Sequence, residues 1–226
     1  MISMLLLRKN IYKIFWVIVF VGIIAVLFRL TLLDLIFKPL IIPALLAAVM
    51  LRSENTRGRN KIILALVFSF LGDVFLQFEN RGQYFFIAGL ASFLVTHIFY
   101  IAYFYQIKQS GPSPAKNHPF IPVIIALYTF GLLYLLNPYL GELKIPVIIY
   151  ACIISIMVYL GLCIPYKVGK ITSRLFVTGA ILFVVSDSLL AINKFYSSFS
   201  AAPVLIRLTY CVAQYFIVKG FIKKRY

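Results

Sequence analysis

Charge is scarce in this chain, and its scarcity excludes more than any motif does. Of 226 residues only 12% are charged, about half the share usual for a soluble domain. Hydrophobic residues make up 63%, and the mean hydropathy is +1.00. A soluble globular protein is excluded, and a polytopic membrane protein remains. Cysteine is sparse too. Cys152, Cys163 and Cys211 all lie in apolar segments, are odd in number and show no Cys-x-x-Cys or Cys/His spacing, which excludes a disulfide framework and a zinc site. They read as small core hydrophobes. There is no Gly-x-Ser-x-Gly elbow, so a serine lipase mechanism has nothing to stand on. No His-rich or carboxylate-rich metal-ligand spacing is present either.

Basic residues are the exception to the scarcity: 22 Lys and Arg face 6 Asp and Glu, for a net charge of +16. They fall in small clusters between apolar runs, without the basic stripe or aromatic interleaving of a nucleic-acid surface. They mark topology instead. A span needs about 20 apolar residues, and eight runs qualify: residues 14–33, 35–51, 61–78, 83–105, 120–136, 144–164, 174–193 and 201–221. Threading them alternately puts 16 basic residues on one side and 4 on the other (Arg29, Arg81, Lys144, Lys194), with Lys38 and Arg207 left inside spans. The positive-inside rule then places both termini in the cytoplasm. Arg8, Lys9 and Lys13 before an apolar run imitate a signal peptide, but the run continues too far and no small-x-small cleavage site follows, so a retained first span is expected. The longest loop, Gln106 to Pro119, has no room for a domain, and His118 within it reads as a solvated loop residue. The expectation is therefore an all-α membrane bundle of eight helices, with residues 1–226 as a single integral membrane domain.

Against this background two acids stand out. Asp73 lies in the middle of Phe68-Ser-Phe-Leu-Gly-Asp-Val-Phe-Leu76, and Asp187 in Ser186-Asp187-Ser188 within the seventh run. An ionisable group inside a span is a functional-site hypothesis by default. Counting helix rise from the cytoplasmic end puts Asp73, Asp187, Lys38, His97 and Arg207 all at ~16–21 Å, one polar layer just beyond the midplane of a ~30 Å core. Helical spacing places Ser69, Gly72 and Asp73 on one face, His97 with Tyr100 on another, and Arg207, Tyr210 and Gln214 on a third. Tyr100 follows Asp73 by the same interval at which Gln214 follows Asp187, a faint echo that would suit a four-plus-four repeat. Besides a catalytic use, two other functions fit such a layer: a small proton-coupled transporter would use the aspartates as a relay, and a structural protein would lock Lys38 to one Asp and Arg207 to the other.

The residues also carry a resemblance. Ala65-Leu66-x-Phe68-Ser69-x-x-Gly72-Asp73-x-x-Leu76, then Phe86-x-x-Gly89-Leu90-x-x-Phe93-x-x-x-His97-x-x-Tyr100, then Gly179-Ala180-x-x-Phe183-x-x-Ser186-Asp187-Ser188-x-x-Ala191 resemble the lysoplasmalogenase family, the YhhN-like membrane hydrolases. Lys38-Pro39 and Tyr210-x-x-Ala213-Gln214 look like further pieces of its pattern. The resemblance implies hydrolysis of the vinyl ether bond of a single-chain ether phospholipid, a lysoplasmalogen, to a fatty aldehyde and glycerophospho-ethanolamine or -choline. It implies no cofactor and no required metal, catalytic roles for Asp73 and Asp187, and residence in the inner membrane of a bacterium. Such hydrolysis protonates the carbon β to the ether oxygen and captures the resulting cation with water, so it needs an acid and a base, which two carboxylates in a low-dielectric site can divide. Lys38 and Arg207 are expected at the substrate phosphate, His97, Tyr100 and Gln214 as orienters of water or headgroup, and Ser69, Ser186 and Tyr210 as supporting groups.

Overall fold

A backbone in hydrocarbon has no water to satisfy its N–H and C=O groups, so apolar runs of span length close into helices. The computed structural model describes residues 2–53, 57–109, 111 and 119–224, with side chains from residue 6 onward. The helices are α1 (Ile2–Leu27), α2 (Thr31–Arg52), α3 (Arg59–Gln77), α4 (Gln83–Lys108), α5 (Phe120–Leu136), α6 (Lys144–Leu162), α7 (Lys170–Ala191) and α8 (Ala202–Lys223), joined by short 3₁₀ turns and a π-helical turn, Ile192–Tyr196. Among the described residues there is no strand, and eight helices are long and apolar enough to cross a membrane. His118 lies outside the described residues.

The first helix departs most from its expected bounds, 14–33. It begins far earlier because Arg8, Lys9 and Lys13 are exposed on it, and a basic side chain with a long apolar stem can ride at a membrane interface without ending a helix. It stops at Leu27 because Arg29 turns left-handed, with φ 55°, and the leucines that follow open α2 instead. Cys163 and Cys211 are buried as expected, but Cys152 is exposed, since its position on α6 falls on the outward face.

The chain forms two compact units, Met1–Tyr100 and Ile101–Tyr226. In the first, α1 packs on α2 and α2 on α3. α2 passes through Pro39 and Pro43 without breaking. Proline has no N–H to donate to the carbonyl four residues earlier, so Pro39 releases the carbonyl of Leu35. The side chain of Gln77, at the end of α3, donates to that oxygen at 3.2 Å, the kind of repair that lets membrane helices tolerate proline. Gln77→Leu is expected to cost about 1 kcal/mol, checked as a lowered melting temperature in detergent; an unchanged melting temperature would remove the repair role.

α3 and α4 meet in one antiparallel register. The Ser69 hydroxyl donates to Thr96 Oγ1 at 3.2 Å, a Cβ on Gly72 would lie 2.6 Å from the Phe93 ring, and one on Gly89 would lie 2.7 Å from Leu76. Small residues are what allow helices without a hydrophobic drive between them to approach this closely.

In the second unit α7 and α8 are joined the same way: a Cβ on Gly179 would meet Ile217 at 2.8 Å, and one on Gly220 would meet the Phe176 ring at 3.0 Å. Tyr103, Phe104, Phe176 and Phe221 build an edge-to-face aromatic cluster with centroids 5.6–5.8 Å apart, a geometry favoured by the ring quadrupoles. α5 is the most exposed span, with Val123, Leu127 and Phe130 all uncovered by protein, as suits a face solvated by lipid tails.

Candidate active site

Consecutive residues of a helix project about 100° apart, and the triplet Ser186-Asp187-Ser188 uses this to reach three different neighbours. Ser186 is buried and its hydroxyl donates to the carbonyl of Ile206 on α8 at 3.1 Å. Asp187 Oδ2 accepts a hydrogen bond from the Tyr150 hydroxyl of α6 at 2.6 Å. Ser188 Oγ accepts one from the Tyr128 hydroxyl of α5 at 2.8 Å. A further bond between Thr129 and Ser155, 2.7 Å, joins α5 to α6. The three helices α5, α6 and α7 are thus tied pairwise into a closed triangle of side-chain hydrogen bonds.

That triangle borders a narrow, open-mouthed cleft. Each helix contributes one stripe: Tyr128 to Leu136 from α5, Val147 to Ser155 from α6, and Val184 to Ala191 from α7. Toward the C-terminal end of α5 the lining is apolar, with Leu132, Leu133, Leu136 and Val147. Asp187 is half-buried on its wall and is the one ionisable carboxylate among the lining residues. A carboxylate accompanied by hydroxyl donors in a mostly apolar cleft can hold water, accept a proton from it and stabilise a developing cation.

On α8, Tyr210 packs edge-on against Phe183 of α7 at 5.6 Å, Gln214 is wholly buried, and Arg207 is half-buried. The face predicted for these three residues is therefore the one α8 turns inward, with Arg207 at its edge.

The first unit holds the other aspartate. Asp73 is 6% exposed and Ser69 fully buried, so the predicted Ser69, Gly72, Asp73 face is the buried face of α3. His97 and Tyr100 are fully buried on α4, and Thr96 beside them both receives the Ser69 proton and lies within hydrogen-bonding distance of the Ala65 carbonyl, 3.2 Å. Lys38 is half-buried on α2.

Tyr150 and Tyr128, the partners of the α7 triplet, escaped the sequence reading. The signal was faint: Tyr128-Thr129 and Tyr150 with Ser155 are polar points in otherwise apolar fifth and sixth spans, but tyrosine serves equally as a core hydrophobe. Among the described residues no three His, Cys, Asp or Glu side chains gather as a metal centre would require.

Comparison with known proteins gives a consistent set of relatives. The YhhN family model matches residues 33–221. The lysoplasmalogenase TMEM86A of Homo sapiens is 34% identical over 170 residues, 73% of this chain and 66% of the relative. The lysoplasmalogenase of Mycobacterium bovis is 30% identical over 180 residues, 78% of this chain and 66% of the relative. The chain thus spans just under two thirds of the length of either relative. No solved structure matches it.

Proposed function

This chain belongs to the YhhN family, and from that membership we propose that it is an intramembrane hydrolase that cleaves the vinyl ether bond of lysoplasmalogens. The observation that carries the reading is the placement of Asp187 at the hydroxyl-rich part of an otherwise apolar cleft. That combination suits an amphiphile whose reactive bond lies between a polar headgroup and a hydrocarbon chain. Relatives named as lysoplasmalogenases over most of this chain point to the same substrate class.

In the proposed reaction one aspartic acid delivers its proton to the alkenyl carbon β to oxygen, giving an oxocarbenium ion. The other, as carboxylate, holds a water molecule, stabilises the cation and takes the proton as the water oxygen bonds to the cationic carbon. As the hemiacetal breaks its bond to the glycerol oxygen, its hydroxyl proton passes to the first aspartate and the proton held by the second passes to the glycerol oxygen, so both acids return to their starting states and the products are a fatty aldehyde and a glycerophospho-alcohol. Atoms balance with one water consumed. Asp73 and Asp187 are the two acids assigned to these roles, Lys38 and Arg207 the cations assigned to the phosphate, and His97, Tyr100 and Gln214 the groups assigned to orienting water or headgroup.

The test is purified full-length protein in detergent, supplied with 1-alkenyl-glycerophospho-ethanolamine or -choline. Aldehyde should appear in step with the released glycerophospho-alcohol, and the saturated alkyl ether analogue, which cannot be protonated to an oxocarbenium ion, should persist. Failure to release aldehyde with either headgroup would overturn the assignment. A transporter would consume nothing under these conditions, because detergent abolishes any gradient.

A further inference from the structure

The hydrolase reading needs one acid and one base but leaves open which aspartate is which. The Tyr150 bond bears on that choice. At an O···O distance of 2.6 Å the phenol hydroxyl donates directly to Asp187 Oδ2, well within hydrogen-bonding range. A phenol that donates to Oδ2 complements a carboxylate anion. It also fixes the carboxylate plane, because the tyrosine itself sits on α6 while the aspartate sits on α7, and the flanking Tyr128–Ser188 and Thr129–Ser155 bonds hold α5, α6 and α7 in one arrangement.

We propose that Tyr150 is the positioning residue of Asp187, holding it as the carboxylate that orients water and stabilises the cation. The inference rests on the hydrolase reading and refines it. Tyr150 keeps its own proton throughout: it donates the same hydrogen bond before and after water attacks, and the proton lost by water goes to Asp187. Removing the phenol oxygen leaves Asp187 in place but lets its carboxylate rotate, and a misplacement of about 1 Å at a reacting group costs on the order of 100-fold in rate.

The experiment compares wild-type protein with Tyr150→Phe, which keeps the ring and its packing. The expected result is a kcat lowered about 10- to 100-fold with KM within about twofold, since a group that acts on the bound reaction leaves substrate binding alone. In parallel, infrared spectra are recorded for both proteins and for Asp187→Asn. The carboxylate band that vanishes in Asp187→Asn should shift in Tyr150→Phe, a change that a purely packing role would not produce. An unchanged kcat, an unmoved carboxylate band, or a loss of turnover matched by equal loss of folded protein would each overturn the proposal. Absence of aldehyde release from wild-type protein, with the band still shifting, would instead remove the hydrolase reading and leave the pair as an interhelical clasp.

Discussion

Asp187→Asn and Asp73→Asn are each expected to lower aldehyde release by about 10²- to 10⁴-fold, the span associated with losing one positioned acid or base. The amide matches the carboxyl in size, so both proteins should extract as folded monodisperse species. At position 187 the amide oxygen can still accept from Tyr150, which preserves the α6–α7 link seen at 2.6 Å. At position 73, buried in α3 at 6% exposure, the neutral amide is if anything easier to place in an apolar interior than a carboxylate. What both variants lose is the ability to move a proton. Turnover is measured as aldehyde per mole of folded protein, and a variant with near wild-type kcat would strike that residue from the chemistry. The proton-relay and ion-pair readings predict no aldehyde from the wild-type protein in the first place, so this comparison is informative only after the wild type has been shown to turn over.

How far the sequence could be read depended on the length scale of the signal. Hydropathy and charge are averaged over a whole span, and they located all eight helices, even α2, where Pro39 and Pro43 argued against continuity. They missed the ends of α1, because snorkelling lysines and arginines blur the point where an apolar run meets the interface. Faces repeat every three or four residues within one helix, so the inward faces holding Ser69 with Asp73, His97 with Tyr100, and Tyr210 with Gln214 were also legible. Partners in other helices were not. The Tyr150–Asp187 bond joins residues 37 positions apart, and the Gln77–Leu35 bond joins residues 42 apart. Nothing in the local pattern distinguishes a tyrosine that packs from one that donates. Ser186 illustrates the limit from the other side: it was read as part of the site, and its hydroxyl is given to the backbone of α8, so it clasps two helices while its neighbour Asp187 faces the cleft.

Lys38 offers the sharpest separation between a binding role and a structural one. It is half-buried on α2, one residue before Pro39, whose effect on the helix is repaired from α3 by Gln77. If Lys38 holds the substrate phosphate, its contact is nearly the same in ground and transition states, because phosphate carries the same charge in both. Such uniform binding appears in KM and leaves kcat alone. Lys38→Met keeps the stem and removes the ammonium, so the expected result is a KM raised about 10- to 100-fold, equivalent to about 1.4–2.8 kcal/mol of binding, with kcat within about threefold and an unchanged melting temperature. If Lys38 instead neutralises an aspartate, the same change leaves a buried charge without its counter-ion, at a cost of about 3–5 kcal/mol in stability. The two roles therefore move different observables. Steady-state kinetics against a series of lysoplasmalogen concentrations, run beside thermal unfolding in the same detergent, decides between them. A Lys38→Met protein that melts markedly lower while its surviving fraction keeps the wild-type KM would end the phosphate assignment and establish the ion pair in its place.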